Sequence, residues 1–386
     1  MDAPVGTRHG VSFISEILSD PLHIMNIYFI VCRKTTVLSC IFGAYMSNMK
    51  HLLTSIFLIC IFGQTFGIIS SSITTVTNQY WDLPTGSRIA FYFFKGHEPR
   101  KPVPIIYLHG GPGGYVTSQD LFVFSKLADD GYDVYLYDQI GSGRSARLRN
   151  IREYSVKRHL RDLEAIVDLL EASKVIFIGH SWGASLAPAY LAEHPEKVEK
   201  LIFSGPGGII PKHLDDILIP LPDSVKLKNR EITKHFPSEY LEPVAYKKFT
   251  RISDYAGFGI KTAPDDEIDS LLDCFMANIA KQKSERTGLS CSSSCERGSG
   301  GYAHFRTGLS LEKGKDRREF LHGLDTPVMI LLGESDPIPW GCIADYLKVF
   351  RNIKLIIIPA SGHSVFACQP EFCLKLTREF LSSPTK

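Results

Sequence analysis

The chain has 386 residues, 44% of them hydrophobic and 22% charged, which are the proportions of an ordinary globular protein long enough for a large domain with additions. A formal net charge of only +2 gives no support to nucleic-acid binding, which usually needs a concentrated basic surface, so no nucleic-acid partner is expected.

The first feature in chain order is an apolar segment. No Asp, Glu, Lys or Arg occurs between Leu52 and Trp81, and Leu52 to Ser70 forms a core of 19 residues. About 20 apolar residues cross a bilayer as a helix, and a buried soluble helix is rarely apolar on every side. Residues 49–73 are therefore expected to be a membrane anchor, with a cleaved signal segment ending near Ser70-Ser71-Ser72 as the alternative. Arg33, Lys34 and Lys50 precede the segment, so the positive-inside tendency leaves the N-terminus in the cytoplasm and sends the remainder out. Without insertion the protein is cytoplasmic. Residues 1–48 read as an N-terminal extension, whose stretch Ile24 to Met46 is either a second weak span or lies upstream of a start at Met46 or Met49.

Past Trp81 the pattern changes to short apolar runs alternating with helical spacing. Ile89 to Phe94, Pro104 to Leu108 and Asp133 to Tyr137 predict strands. Val156, Leu160, Leu163, Val167 and Leu170 recur at helical spacing and predict a helix from Ser155 to Ala172. A strand over Val175 to Ile178, a helix over Trp182 to Glu193 and a strand over Lys200 to Phe203 follow. The pattern returns late, with strands over Pro327 to Leu332 and Leu355 to Ile358 and helices over Ile343 to Phe350 and Glu371 to Leu381. Fully apolar strands alternating with helices predict an α/β fold whose mostly parallel sheet is covered on both faces. The intervening residues are polar and lack apolar strand runs. They predict a mainly helical cap over 211–321 between core parts 80–210 and 322–386, with a mobile loop across the Gly/Ser/Cys-rich stretch Ser290 to Gly301. Cys291 and Cys295 lie four residues apart in that stretch, with His304 the one histidine close by. No CxxC pair accompanies them, so a polar loop is expected rather than a metal site.

Three motifs carry chemistry. Gly179-His-Ser-Trp-Gly183 stands between a predicted strand and a predicted helix, the context of a nucleophile elbow that exposes the Ser181 hydroxyl. A serine hydroxyl needs a base, and His363 follows the last strand, on a loop that returns over the sheet edge. The base needs a carboxylate. Asp336 follows the preceding strand in Gly333-Glu-Ser-Asp-Pro337, with Glu334 the competitor, and the order Ser, Asp, His is that of the α/β-hydrolase fold. The oxyanion donors are assigned to the main-chain amides of Trp182 and of Gly111, with Gly110 the alternative, in His109-Gly-Gly-Pro-Gly-Gly114. His109, Gly110, Gly113 and His180 are expected to position the substrate and the site. Asp138-Gln-Ile-Gly-Ser-Gly-Arg-Ser145 reads as a tight structural turn tied by Asp138 to Arg144.

These three segments, with the contexts of Asp336 and His363, resemble those of the proline iminopeptidases from about Leu83 to Phe380. The resemblance implies a hydrolase that needs no cofactor or metal, carries a helical cap and releases an N-terminal residue, often proline, from peptides. Departures bear on the substrate. His180 replaces a second glycine before the serine, and Ile140 interrupts the D-Q-R-G pattern. Gly301 stands where the family's E-N-H-Y-F-like motif carries an acid for the free amine, and no W-E pair occurs early in the cap. The expected partner is therefore a small peptide or an ester. A carboxylesterase or lipid esterase is the alternative enzyme, and a membrane-tethered binding module without catalysis is the alternative class.

Overall fold

The computed structural model describes residues 79–384 apart from 214–218, 224, 229–236 and 288–295. The expected anchor at 49–73, the extension before it, and Cys291 and Cys295 lie outside the described residues. Among the described residues no helix is long and apolar enough to cross a membrane.

Eight strands form one sheet: β1 (Gln79–Asp82), β2 (Arg88–Phe94), β3 (Ile105–Leu108), β4 (Val134–Tyr137), β5 (Val175–His180), β6 (Val198–Ser204), β7 (Val328–Gly333) and β8 (Ile353–Ile358). Their order is β1-β2-β4-β3-β5-β6-β7-β8. The β1–β2 and β2–β4 pairs are antiparallel and every other pair is parallel. Alternate residues explain why the parallel strands are apolar throughout. Ile106 and Leu108, Phe177, Leu201 and Phe203, and Val328 and Ile330 enter one core layer; Ile105 and Tyr107, Ile176 and Ile178, Ile202, and Met329 and Leu331 enter the other. Since side chains alternate across a strand, such a run can only be a strand buried on both faces.

The helices that cover the sheet are α1 (Ser118–Phe124), α2 (Val156–Leu169) and α3 (Trp182–Glu193), and, after β7, α9 (Trp340–Val349), α10 (Val365–Cys368) and α11 (Pro370–Ser382). Ser155 caps α2 by accepting the N–H of Arg158 at 3.2 Å, and the helix buries Val156, Leu163, Ile166 and Val167. Between β6 and β7 come α4 (Pro237–Tyr240), α5 (Pro243–Gly257), α6 (Asp265–Thr287), α7 (Gly301–Gly308) and α8 (Arg318–His322). Of the stretch Ser290 to Gly301, read as containing a mobile loop, the described part is hydrogen-bonded. The Gly143 N–H donates to Gly298 O at 2.7 Å, the Gly300 N–H to Gly113 O at 2.8 Å, and Asp273 accepts the N–H groups of Gly298 and Ser299. These bonds fasten 298–300 onto two glycine-containing loops of the sheet edge.

Strand register places that edge. Leu108 pairs with Gly179, His180 with Ser204, Ser204 with Leu331, and Gly333 with Ile358. The chain therefore leaves β3, β5, β6, β7 and β8 at one end of the sheet. The loops that start there hold His109, Ser181, Gly205, Asp336 and His363. Ligands bind in open α/β sheets at this carboxyl edge.

Candidate active site

Ser181 joins β5 to α3 with φ 51° and ψ −107°, a left-handed conformation that side chains other than glycine rarely adopt. Such strain costs on the order of 1–3 kcal/mol and persists only where neighbours enforce it. Here the Ser181 N–H donates to Ser204 O at 3.0 Å, and Ser181 O accepts the Gly207 N–H at 3.1 Å. The flanking glycines are required by close approach. A Cβ on Gly179 would lie 2.7 Å from the Ala184 nitrogen, and one on Gly183 2.0 Å from Leu108 O. Serine at a helix start normally caps the first turn, but the Ser181 side chain makes no capping bond.

Asp336 is completely buried. Its Oδ1 lies 3.0 Å and its Oδ2 3.2 Å from His363 Nδ1, and Oδ1 also accepts the Ile338 N–H at 3.0 Å. Burial alone would raise this carboxyl. The His363 ring and the Ile338 N–H outweigh burial and hold it below its ordinary value. Glu334 turns elsewhere, accepting the Ala360 N–H at 2.8 Å and pairing with Lys228 at 3.1 Å. Of the two acids that the sequence offers, Asp336 alone meets the imidazole.

The rings of His180 and His363 lie 4.8 Å apart between centroids. A Cβ on Gly110 would lie 2.9 Å from His180 Cδ2 and 3.3 Å from Ser181 Cβ, and one on Gly205 would lie 2.6 Å from Asp336 Oδ2 and 2.7 Å from His363 Nδ1. Ser181, His180, Gly110, Gly205, Asp336 and His363 thus form one cluster. His180 Nδ1 lies 3.1 Å from Ser204 O, and burial lowers its pKa to about 3, so the ring is neutral.

Gly111 has φ 125°, and a Cβ there would lie 2.5 Å from the Gly114 nitrogen, so the tight turn of this loop excludes any side chain. Gly113 has φ 78° for a different reason: a Cβ would lie 2.5 Å from Gly300 O and 2.8 Å from the His304 nitrogen. It admits the start of α7 onto the loop, while His304 Nδ1 reaches Pro112 O at 2.8 Å. His109 is buried, and burial lowers its pKa to about 4. Its Nε2 accepts the Gln139 N–H at 2.9 Å, so Nδ1 carries the proton and donates to Gly110 O at 2.8 Å. Asp138 accepts the Val116 N–H at 2.8 Å and the Arg144 N–H at 2.9 Å. The expected Asp138–Arg144 tie includes the Arg144 main chain, and the guanidinium, 4.3 Å above the Tyr92 ring, also favours the charged Asp138 carboxylate.

Sequence reasoning missed Gln139 and Gly205. Gln139 stood in a turn read as purely structural. Gly205 carried no motif, and its importance follows only from strand pairing that brings β6 beside β7.

A family model described as the alpha/beta hydrolase fold matches residues 103–367. A proline iminopeptidase from Heyndrickxia coagulans is 39% identical over 122 residues, 32% of this chain and 41% of the relative. One from Saccharolobus solfataricus is 25% identical over 284 residues, 72% of this chain and 84% of the relative. The chain thus spans about two fifths of the first relative's length and most of the second's. Among solved structures, an esterase from Exiguobacterium antarcticum superposes with a TM-score of 0.51 at 17% identity, covering 79% of this chain and all of the esterase. That likeness concerns the fold.

Proposed function

This chain belongs to the alpha/beta hydrolase fold family, and on that premise we propose that it is a serine hydrolase working through an acyl-enzyme. Residues 80–210 and 322–386 serve as the two parts of its core and 211–321 as its cap. Ser181 Oγ attacks the substrate carbonyl carbon. His363 Nε2 takes the hydroxyl proton, while Asp336 holds the Nδ1–H and stabilises the imidazolium. The main-chain N–H groups of Gly111 and Trp182 hold the oxyanion. His363 then gives its proton to the leaving group; water, deprotonated by the same ring, attacks the acyl carbon, and as the bond to Ser181 Oγ breaks the ring returns that proton to Oγ and the acid is released. The observation that carries this reading is the 3.0 Å contact from His363 to a fully buried Asp336, beside a serine held in strained backbone with its hydroxyl unspent on capping.

The relatives favour peptide N-termini as substrates. The second reading is a carboxylic ester, and one observation favours it: Gly301, at the position where the iminopeptidase motif carries an acid, supplies only a backbone N–H, which Asp269 accepts at 2.6 Å. Asp269 is itself engaged by Arg147 at 3.0 Å. Asp269 is thus already engaged, and a free ammonium buried beside it would need a further carboxylate.

Ser181→Ala tests the mechanism. It is expected to lose on the order of 10⁴-fold or more in turnover of an activated ester, together with labelling by a fluorophosphonate. Undiminished turnover overturns the serine mechanism. Proline-β-naphthylamide against short-chain p-nitrophenyl esters separates the substrates, and cleavage of the esters alone removes the peptidase reading.

A further inference from the structure

Gln139 is buried where two segments of the site converge. The Trp182 indole N–H, which can only donate, gives its hydrogen to Gln139 Oε1 at 2.7 Å. That bond fixes the orientation of the amide, whose Nε2 donates to His109 O at 3.2 Å. The Gln139 main chain contributes a third bond, its N–H donating to His109 Nε2 at 2.9 Å, and through His109 Nδ1 the chain of bonds ends on Gly110 O at 2.8 Å. On its other side the Trp182 ring meets His159 edge-on, at 5.6 Å between centroids, and that contact leaves the indole N–H to Gln139. One residue therefore joins the residue that starts α3 to the loop holding Gly110 and Gly111. Those are the two places from which the oxyanion amides come, and they leave different strands, β5 and β3.

We propose that Gln139 is a positioning residue that holds the oxyanion donors of Trp182 and Gly111 in register with each other. It touches neither substrate nor reacting atoms. It acts through Trp182 and His109, and its role presupposes the serine mechanism proposed above. An oxyanion hole needs its donors aimed at the transition-state oxygen before the reaction begins, and a misplacement of about 1 Å costs up to about a hundredfold in rate. A bridge between two independently mounted donors supplies that precision.

The rate of labelling by a fluorophosphonate reads the effect without knowledge of the natural substrate, because phosphonylation of a serine also develops charge on an oxygen. In Gln139→Leu the limiting rate is expected to fall about ten- to a hundredfold, with half-saturation within about threefold of wild type. Trp182→Phe removes the donor of the same bond, so the double variant should be no slower than about twice the deficit of the worse single variant. In Gln139→Glu a protonated carboxyl again offers one acceptor and one donor, so its rate relative to wild type should rise about fivefold or more from pH 8 to pH 5.5. A purely structural role lowers thermal stability but leaves the limiting rate and this pH profile unmoved. A limiting rate in Gln139→Leu within about threefold of wild type, or deficits that multiply in the double variant, overturns the proposal. Ser181→Ala run alongside separates the layers. Retained labelling there overturns the serine mechanism and this role with it, whereas loss there with a normal Gln139→Leu rate overturns this role alone.

Discussion

The two acids after β7 show how burial and partners assign roles to side chains two positions apart. Asp336 is enclosed and gives both oxygens to His363, whereas Glu334 takes the Ala360 N–H and faces Lys228. Replacing Asp336 by Asn keeps the shape but removes the charge that stabilises the imidazolium, and it turns an acceptor into a possible donor at Nδ1. Turnover in Asp336→Asn should drop by on the order of 10⁴-fold, with the protein still folded. Glu334→Gln should stay within about threefold, since that side chain fastens the loop before His363 and touches no other member of the cluster. Equal losses in the two variants, measured as kcat on one activated ester, would reverse the assignment. The sequence favoured Asp336 by its place after the strand, yet both acids share that loop. The choice rests on which side chain turns inward, and that is set by Gly205, whose missing Cβ leaves room for Asp336 Oδ2 and His363 Nδ1.

Among the helices between β6 and β7, α7 stands against a loop of the site. Its first turn stands on the loop 110–114, and the contact exists because Gly113 has no side chain. In Gly113→Ala the new methyl would meet Gly300 O and the His304 nitrogen, both backbone atoms that cannot swing aside, at a residue whose φ of 78° already disfavours alanine. A loss of about 2 kcal/mol or more is expected, with a fall in kcat as the loop carrying Gly111 shifts. Gly308, at the other end of the same helix, has nothing within 4 Å of its missing Cβ, so Gly308→Ala should be neutral or slightly stabilising. Denaturant midpoints of the pair check this, and equal midpoints would remove the packing argument. The glycines were legible as a loop of unusual conformation, but not what approaches them: Gly111 serves its own turn, and Gly113 admits a helix nearly 190 residues further on. Elements with strong patterning were legible for the same reason that they are stable. Val175 to Ile178 is apolar because both faces of β5 are buried, and the α3 range read from the sequence, Trp182 to Glu193, is the one observed. β1 escaped notice because Gln79-Tyr-Trp-Asp82 is an edge strand paired on one side only, and its residues ended a stretch noticed for lacking charge. The chain from Glu296 to Gly300 read as loose because composition reports polarity and not hydrogen bonding, and its bonds go to Gly113, Gly143 and Asp273.

Across the described residues, the core lies in two layers on either side of the sheet, and the candidate site lies at the carboxyl end of its parallel strands. Polar side chains that shape this edge are enclosed, and His109, His159, His180 and His304 among them are imidazoles whose pKa burial lowers. Burial lowers the pKa of His109 to about 4, of His159 to about 3 and of His180 to about 3. An unfolded imidazole takes up its proton near 6.5. Between about pH 4 and 6.5 the unfolded chain therefore binds more protons at these positions than the folded one, so their share of stability rises with pH and is lost as the solution is acidified. The largely enclosed His109 and His159 would each cost about 2 kcal/mol by pH 5. Asp269 works against them. Burial pushes its carboxyl up to about 6, so its folded form keeps a proton that the unfolded form releases, and its share of stability falls as pH rises through the same window. Burial lowers His304 as well, and it raises Asp120, Asp138 and Asp162 as it does Asp269, so uptake and release oppose each other and the sign is fixed residue by residue. His159→Gln isolates one of these groups, because a glutamine can still reach Thr307, whose hydroxyl lies 3.1 Å from His159 Nε2. Its stability by urea denaturation should gain on that of wild type as pH falls below 6.5, by about 1.4 kcal/mol per pH unit at most, while the difference above pH 7 is set by packing alone. Parallel pH curves for the two proteins would mean that His159 takes up its proton equally in the folded and unfolded chains, and would remove the account of a neutral imidazole beneath the elbow.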